Sequence, residues 1–193
     1  AEGRDRLRLG KALFEAYRYD AMRGVIGTLR APKSAQCEAW ILLGRAAERK
    51  KKDDDKALEK AFDFYEKALA CEGDPRADAT FLGGRARMTK DPKVARKLLE
   101  AHVAEFPDRS TADDALLLLA ETEKTPKKQT KTLLSTLRRY PTGDMADAVA
   151  WDLVGPHVEA RRWKQALETI EQVLEIAPND VPGRPPGRYR YWR

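Results

Sequence analysis

Apolar positions along the chain return every third or fourth residue. Ala95, Leu98, Leu99 and Val103 make one such stripe, and Ala166, Leu167, Ile170, Val173 and Leu174 make another. That spacing puts each set on one face of an α-helix. Val, Ile and Thr never gather into the alternating runs that mark strands. The helical segments also recur at a fixed distance. Ala77-Asp78-Ala79, Ala112-Asp113-Asp114-Ala115 and Ala146-Asp147-Ala148 open three of them, their aspartates 35 and 34 residues apart. Phe106-Pro107-Asp108, Tyr140-Pro141-Thr142 and Ala177-Pro178-Asn179 close three, because proline cannot continue a helix.

Within each unit the pattern predicts two helices. Leu82-Gly83 falls in the first, where a small residue lets the second approach closely, and Asp91-Pro92 turns the chain and opens the second. Leu9-Gly10 and Leu42-Leu43-Gly44 repeat the first-helix position. Tyr19-Asp20-Ala21 and Trp163-Lys164-Gln165-Ala166 repeat the entry to a second helix. Four bases followed by three acids, Arg49 to Asp55, read as a long solvated turn. A period of about 34 residues is that of tetratricopeptide repeats. The expected fold is therefore all-α, a superhelix or solenoid of tetratricopeptide-like helix pairs at 4–31, 35–72, 76–107, 110–141 and 144–178. Residues 179–187 are rich in Pro and Gly and read as a loop; 188–193 read as the start of a further helix. An aromatic, unfinished end suggests a piece of a longer protein.

Composition narrows the function. Apolar residues make up 42% and charged residues 35% of 193, and the net charge is +6. No apolar run approaches the roughly 20 residues needed to cross a bilayer. The positive balance favours polyanions in general and nucleic acid least, since bases and acids interleave and no recognition module is present. Cys37 and Cys71 are too few for a disulfide framework or a thiolate metal site, and read as two buried free thiols. The opening Ala1-Glu2-Gly3-Arg4 reads as a processed or cut start, without a signal peptide.

Phe106-Pro107-Asp108-Arg109-Ser110-Thr111-Ala112-Asp113-Asp114-Ala115-Leu116 resembles a phrase of periodic periplasmic proteins: a helix-breaking proline, a serine cap and an Ala-Asp-Asp-Ala-Leu helix start. The closing Arg188-Tyr189-Arg190-Tyr191-Trp192-Arg193 resembles the helix opening that follows such repeats in soluble lytic murein transglycosylases. The resemblance covers residues 76–193; the first 75 match only as generic repeat. The Pro-Ser-Ala-Asp phrase also occurs in outer-membrane assembly lipoproteins and in Tol-Pal-associated repeat proteins. In the transglycosylases a superhelical domain precedes a lysozyme-like catalytic domain. The resemblance thus implies a non-catalytic, periplasmic scaffold, with peptidoglycan or envelope proteins and the parent chain's own catalytic domain as partners. That domain's Glu-Ser pair and its Gly-Leu-Met-Gln and Ala-Tyr-Asn-Ala-Gly segments do not occur here, so no catalytic residue carries over.

Candidate chemistry is sparse. His102 and His157 lack neighbours at ligand spacing, no phosphate-binding glycine loop occurs, and no cofactor or metal is implied. Ser110 to Asp113 reads as a helix cap. The candidate binding surface is Lys124, Lys127, Lys128 and Lys131 together with Arg161, Arg162, Trp163, Tyr189, Tyr191 and Trp192. A solvated basic face and groove-filling aromatics are the competing reading. Three functions stand at this point: a transglycosylase scaffold, a tetratricopeptide adaptor for envelope proteins, and an enzyme complete within these residues.

Overall fold

A computed structural model describes residues 2–29, 32–50 and 55–177, and among them every regular element is a helix. These are α1 (Glu2–Glu15), α2 (Tyr19–Ile26), α3 (Lys33–Lys50), α4 (Asp55–Ala68), α5 (Gly73–Arg87), α6 (Pro92–Glu105), α7 (Ala112–Glu121), α8 (Pro126–Arg139), α9 (Ala146–Glu159) and α10 (Trp163–Ile176). The chain divides into two compact units, Ala1–Glu105 and Phe106–Arg193. The predicted loop at 179–187 and helix start at 188–193 lie outside the described residues.

In the first unit each helix packs on the next, and α3 also packs on α1 and on α5. Small residues set how closely the helices approach. Gly10 of α1 lies under Ile26 of α2, Gly44 of α3 under the ring of Tyr65, and Gly84 of α5 under Leu99 of α6. A methyl group at any of the three would meet the facing side chain. Gly84, rather than the Gly83 singled out by the sequence, makes the closer approach. Around these contacts Met22, Ile26, Tyr65 and Leu99 are all but fully buried.

The few buried polar side chains described in the first unit are satisfied, whereas His157 Nδ1 in the second is buried without a hydrogen-bond partner among the described residues. The Tyr65 hydroxyl donates to Glu48 Oε1 at 3.0 Å, and burial beside that carboxylate pushes its phenol far above the ordinary tyrosine range. His102 is wholly buried, its Nδ1 3.1 Å from both the Ala77 carbonyl and the Thr80 hydroxyl. A carbonyl only accepts, so the ring donates there, and Nδ1 serves packing rather than metal binding. Ion pairs cross between helices, Lys11–Glu38, Arg45–Asp78 and Arg76–Glu105, and Lys90 of the α5–α6 turn pairs with Glu59 of α4.

The cysteines correct the sequence reading. Cys37 and Cys71 are joined in a disulfide, their Cα atoms 6.1 Å apart and 34 positions apart in the chain. Cys37 sits near the start of α3 and Cys71 in the turn after α4. A helix pair returns the chain to its starting end, so residues one period apart become neighbours. Two cysteines sufficed because the fold, not their number, brings them together.

In the second unit α8 packs on α7, α9 and α10, and α10 also packs on α9. Ala120, Leu133, Leu137, Val149, Leu153 and Val173 share one core. Thr125 caps α8 by accepting from Lys128 N–H at 3.4 Å, with Pro126 opening the helix. Ser110 does not cap α7, which begins at Ala112 with Thr111 before it and no side-chain cap bond. Asp113 is used differently. It is buried, and its carboxylate accepts from the N–H of Asp114 at 3.1 Å and of Met145 at 3.2 Å, anchoring the turn into α9. Gly143 is bare because a Cβ there would strike that carboxylate. The Tyr140 hydroxyl donates to the Pro107 carbonyl at 2.7 Å, tying the two proline turns together.

Two outcomes are expected. Reducing Cys37–Cys71, or replacing both cysteines with alanine, should lower stability in urea unfolding by about 3–4 kcal/mol, since the bridge closes a loop of 34 residues. Gly44→Ala should cost about 1–2 kcal/mol in the same assay despite alanine's better helix propensity, because its methyl displaces the buried Tyr65 ring.

Candidate functional site

Chain direction reverses at each turn, so α8 and α10 run the same way, side by side. Their N-terminal ends, with the α7–α8 and α9–α10 turns, therefore share one edge of the second unit. The described part of the candidate surface lies there. Lys124 is in the first turn, Lys127, Lys128 and Lys131 are on α8, Arg161 and Arg162 form the second turn, and Trp163 opens α10. All seven are exposed. Among the described residues, none of these lysines and arginines has a carboxylate within ion-pair distance, unlike the paired bases Lys11, Arg45, Arg76 and Lys90 of the first unit. Tyr189, Tyr191 and Trp192 lie outside the described residues.

This placement has an electrostatic penalty. The N-terminal end of a helix carries about half a positive charge, and cations there are unfavourable. The first turn of α8 holds Lys127 and Lys128 and no acid. Among the described residues no acidic side chain of that first turn offsets this, and its lysines are exposed.

The α9–α10 turn is built from an uncommon backbone. Arg161 has φ +54°, the left-handed region that favours glycine. Its N–H donates to the Val158 carbonyl at 3.0 Å, and the Arg162 N–H donates to the His157 carbonyl at 2.8 Å. These are the paired bonds of a helix C-terminus that normally ends in glycine. They fix the chain so that Arg161, Arg162 and Trp163 project at the edge. Trp163 is 57% exposed and Leu167, one helical turn on, is 48% exposed. The same backbone recurs at the α1–α2 turn, where Tyr17 has φ +58°. There the aromatics are partnered: Tyr19 packs on Phe14 with ring centroids 5.5 Å apart, Tyr17 packs on Tyr19 at 6.3 Å, and the Arg49 guanidinium lies over Phe14. Among the described residues, Trp163 has no ring or cation against it.

Other groups were not singled out by the sequence. Glu121 at the end of α7 and Asp152 in α9 face one another electrostatically. Burial raises both carboxyls above the usual range, and the Asp152 charge adds to the rise at Glu121. Asp113, Asp114 and Asp144 bring carboxylate oxygens within 4.8 Å of one another, the spacing of a cation site. The Asp113 oxygens already accept two backbone N–H groups, so the cluster first serves the turn. In the first unit a cleft of about 430 Å³ opens across α1, α3 and α5, with Ile41 and Leu42 between the Lys11–Glu38 and Arg45–Asp78 pairs. A smaller one of about 290 Å³ beside it contains Cys37 and Cys71 and shares Glu38 and Pro75. Neither cleft was foreseen, since helices distant in sequence line it.

No protein-family model matches the chain, and no curated protein matches it. No described helix is long and apolar enough to cross a membrane.

Lys127→Glu should stabilise the second unit by about 0.5–1 kcal/mol in thermal unfolding, by placing an acid at the positive end of α8. Glu121→Gln should raise the melting temperature at neutral pH. A carboxyl raised in the folded state disfavours folding while it is charged, and this penalty disappears once both states are protonated. The difference between variant and wild type should therefore vanish as pH falls to about 4.

Proposed function

We propose that this chain is a non-catalytic scaffold of tetratricopeptide-like helix pairs from a cell-envelope protein, of the kind that supports the catalytic domain of a periplasmic lytic transglycosylase. It positions that domain within the parent chain and contacts glycan strands. The observation that carries this reading is the edge of exposed cations, without acidic partners among the described residues, at the α7–α8 and α9–α10 turns. Such a surface has no role in holding the fold and suits an anionic polymer. Three further observations support it. Helix pairs recur at about 34 residues, as in tetratricopeptide arrays. The Cys37–Cys71 disulfide suits an oxidising compartment such as the periplasm. The buried His102 and the anchored Asp113 serve the fold through structural hydrogen bonds, as a scaffold's polar groups would.

A second reading has its own observation. The cleft over Ile41 and Leu42, flanked by charge pairs, has the form of a groove for an extended polypeptide, as an adaptor of envelope assembly requires.

One experiment separates them. Incubated with purified peptidoglycan sacculi, the chain should sediment with them at low salt, dissociate at high salt, and release no soluble muropeptides. Release of muropeptides would mean an enzyme complete within these residues. Absence of sedimentation, with specific retention of an envelope protein on the immobilised chain, would favour the adaptor.

A further inference from the structure

Resting on the glycan-contacting reading above, we propose that the α9–α10 turn is the glycan site itself: Trp163 stacks on the apolar face of a sugar ring, and Arg161 and Arg162 pair with carboxylates of the same strand. Four observations converge on this turn. Trp163 is 57% exposed and, among the described residues, has no ring or cation against it, although burying so large an apolar side chain is strongly favourable. Its counterpart at the α1–α2 turn, Tyr19, is packed against Phe14. Arg161 occupies a left-handed backbone conformation that disfavours a non-glycine residue, and its side chain is exposed. Neither guanidinium has an acidic partner among the described residues. The α1–α2 turn holds Tyr17, 72% exposed, in the same left-handed backbone, so the conformation alone marks no site; what sets the α9–α10 turn apart is the exposed indole beside two guanidiniums without an acidic partner among the described residues.

The chemistry of the partner follows from the groups offered. A flat aromatic face takes the C–H face of a pyranose, and a planar guanidinium takes a carboxylate through two parallel bonds. Leu167 widens the apolar strip by one helical turn. Lys164 contributes a third charge, held only by a 4.0 Å contact with Glu168 between two highly exposed side chains. Lys124, Lys127, Lys128 and Lys131 on the same edge extend the positive track along which an anionic strand can lie. A neutral glycan would leave the guanidiniums unused, and a small anion would leave the indole unused. A carboxylated glycan chain uses both.

The test compares the 193-residue chain with Trp163→Ala and with Arg161→Gly/Arg162→Gln for binding to purified sacculi and to phosphatidylglycerol vesicles. Glycine suits the backbone at 161, so the double variant removes charge without disturbing the turn, and its melting temperature should hold or rise. Trp163→Ala should weaken binding to sacculi about tenfold, and the double variant should do the same with a shallower salt dependence. Lys93→Gln/Lys97→Gln, matched in charge loss but in the first unit, should bind as wild type. Wild-type binding that all variants retain would overturn the site while leaving the glycan reading intact. If the wild type does not bind sacculi at all, the glycan reading itself fails. Should Trp163→Ala affect only vesicle binding, the turn is a lipid-surface site and the proposal is wrong.

Discussion

Close approach of two helices through a bare backbone position is the contact on which the first unit depends. A helix pair has one apolar face per helix and can bury it only against its partner and the next pair. How much surface is buried depends on how near the axes come. Gly10, Gly44 and Gly84 let Ile26, Tyr65 and Leu99 sit directly on the opposing backbone. With the helices that near, Met22 and Ala46 are wholly enclosed, and the Tyr65 hydroxyl reaches Glu48. A methyl at Gly44 would separate α3 from α4 and loosen everything stacked on them. The second unit meets the same need with alanines, Ala120, Ala146 and Ala150, in a core otherwise of Leu and Val.

Turns carry the second constraint. Where pairs meet, the unsatisfied groups of helix ends must find partners. Asp113 does this across one period by accepting the Met145 N–H, and Tyr140 does it by donating to the Pro107 carbonyl. The Pro-Ser-Ala-Asp phrase is therefore a structural bracket in this protein: its aspartate holds the following turn and its proline presents a carbonyl. The α9–α10 turn departs from that economy. It holds an arginine in a left-handed conformation, leaves a tryptophan in solvent and gathers cations at an edge that already carries the positive end of α8. Its backbone groups are satisfied as at the α1–α2 turn, and on the proposal above its exposed side chains are the ones a partner would engage.

The disulfide shows how architecture turns sequence spacing into chemistry. Cysteines 34 residues apart are remote in an unfolded chain. One helix pair brings them together, because it returns to where it began. The bridge then fastens α3 to the turn before α5 at the point where the two clefts of the first unit adjoin.

The sequence by itself determined the helices. Stripes at helical spacing, prolines at the ends and small residues in the first helices made the class legible, because these are local properties that a helix expresses wherever it sits. The lysines of α8 and the Arg-Arg-Trp turn were equally visible as residue types. What only the tertiary structure decided was proximity. The pairing of Cys37 with Cys71, the choice of Gly84 over Gly83 at the closest approach, the use of Asp113 to hold Met145, and the gathering of two basic clusters on one edge all join residues distant along the chain. Their separation is set by how helices pack and reverse, which no local pattern records.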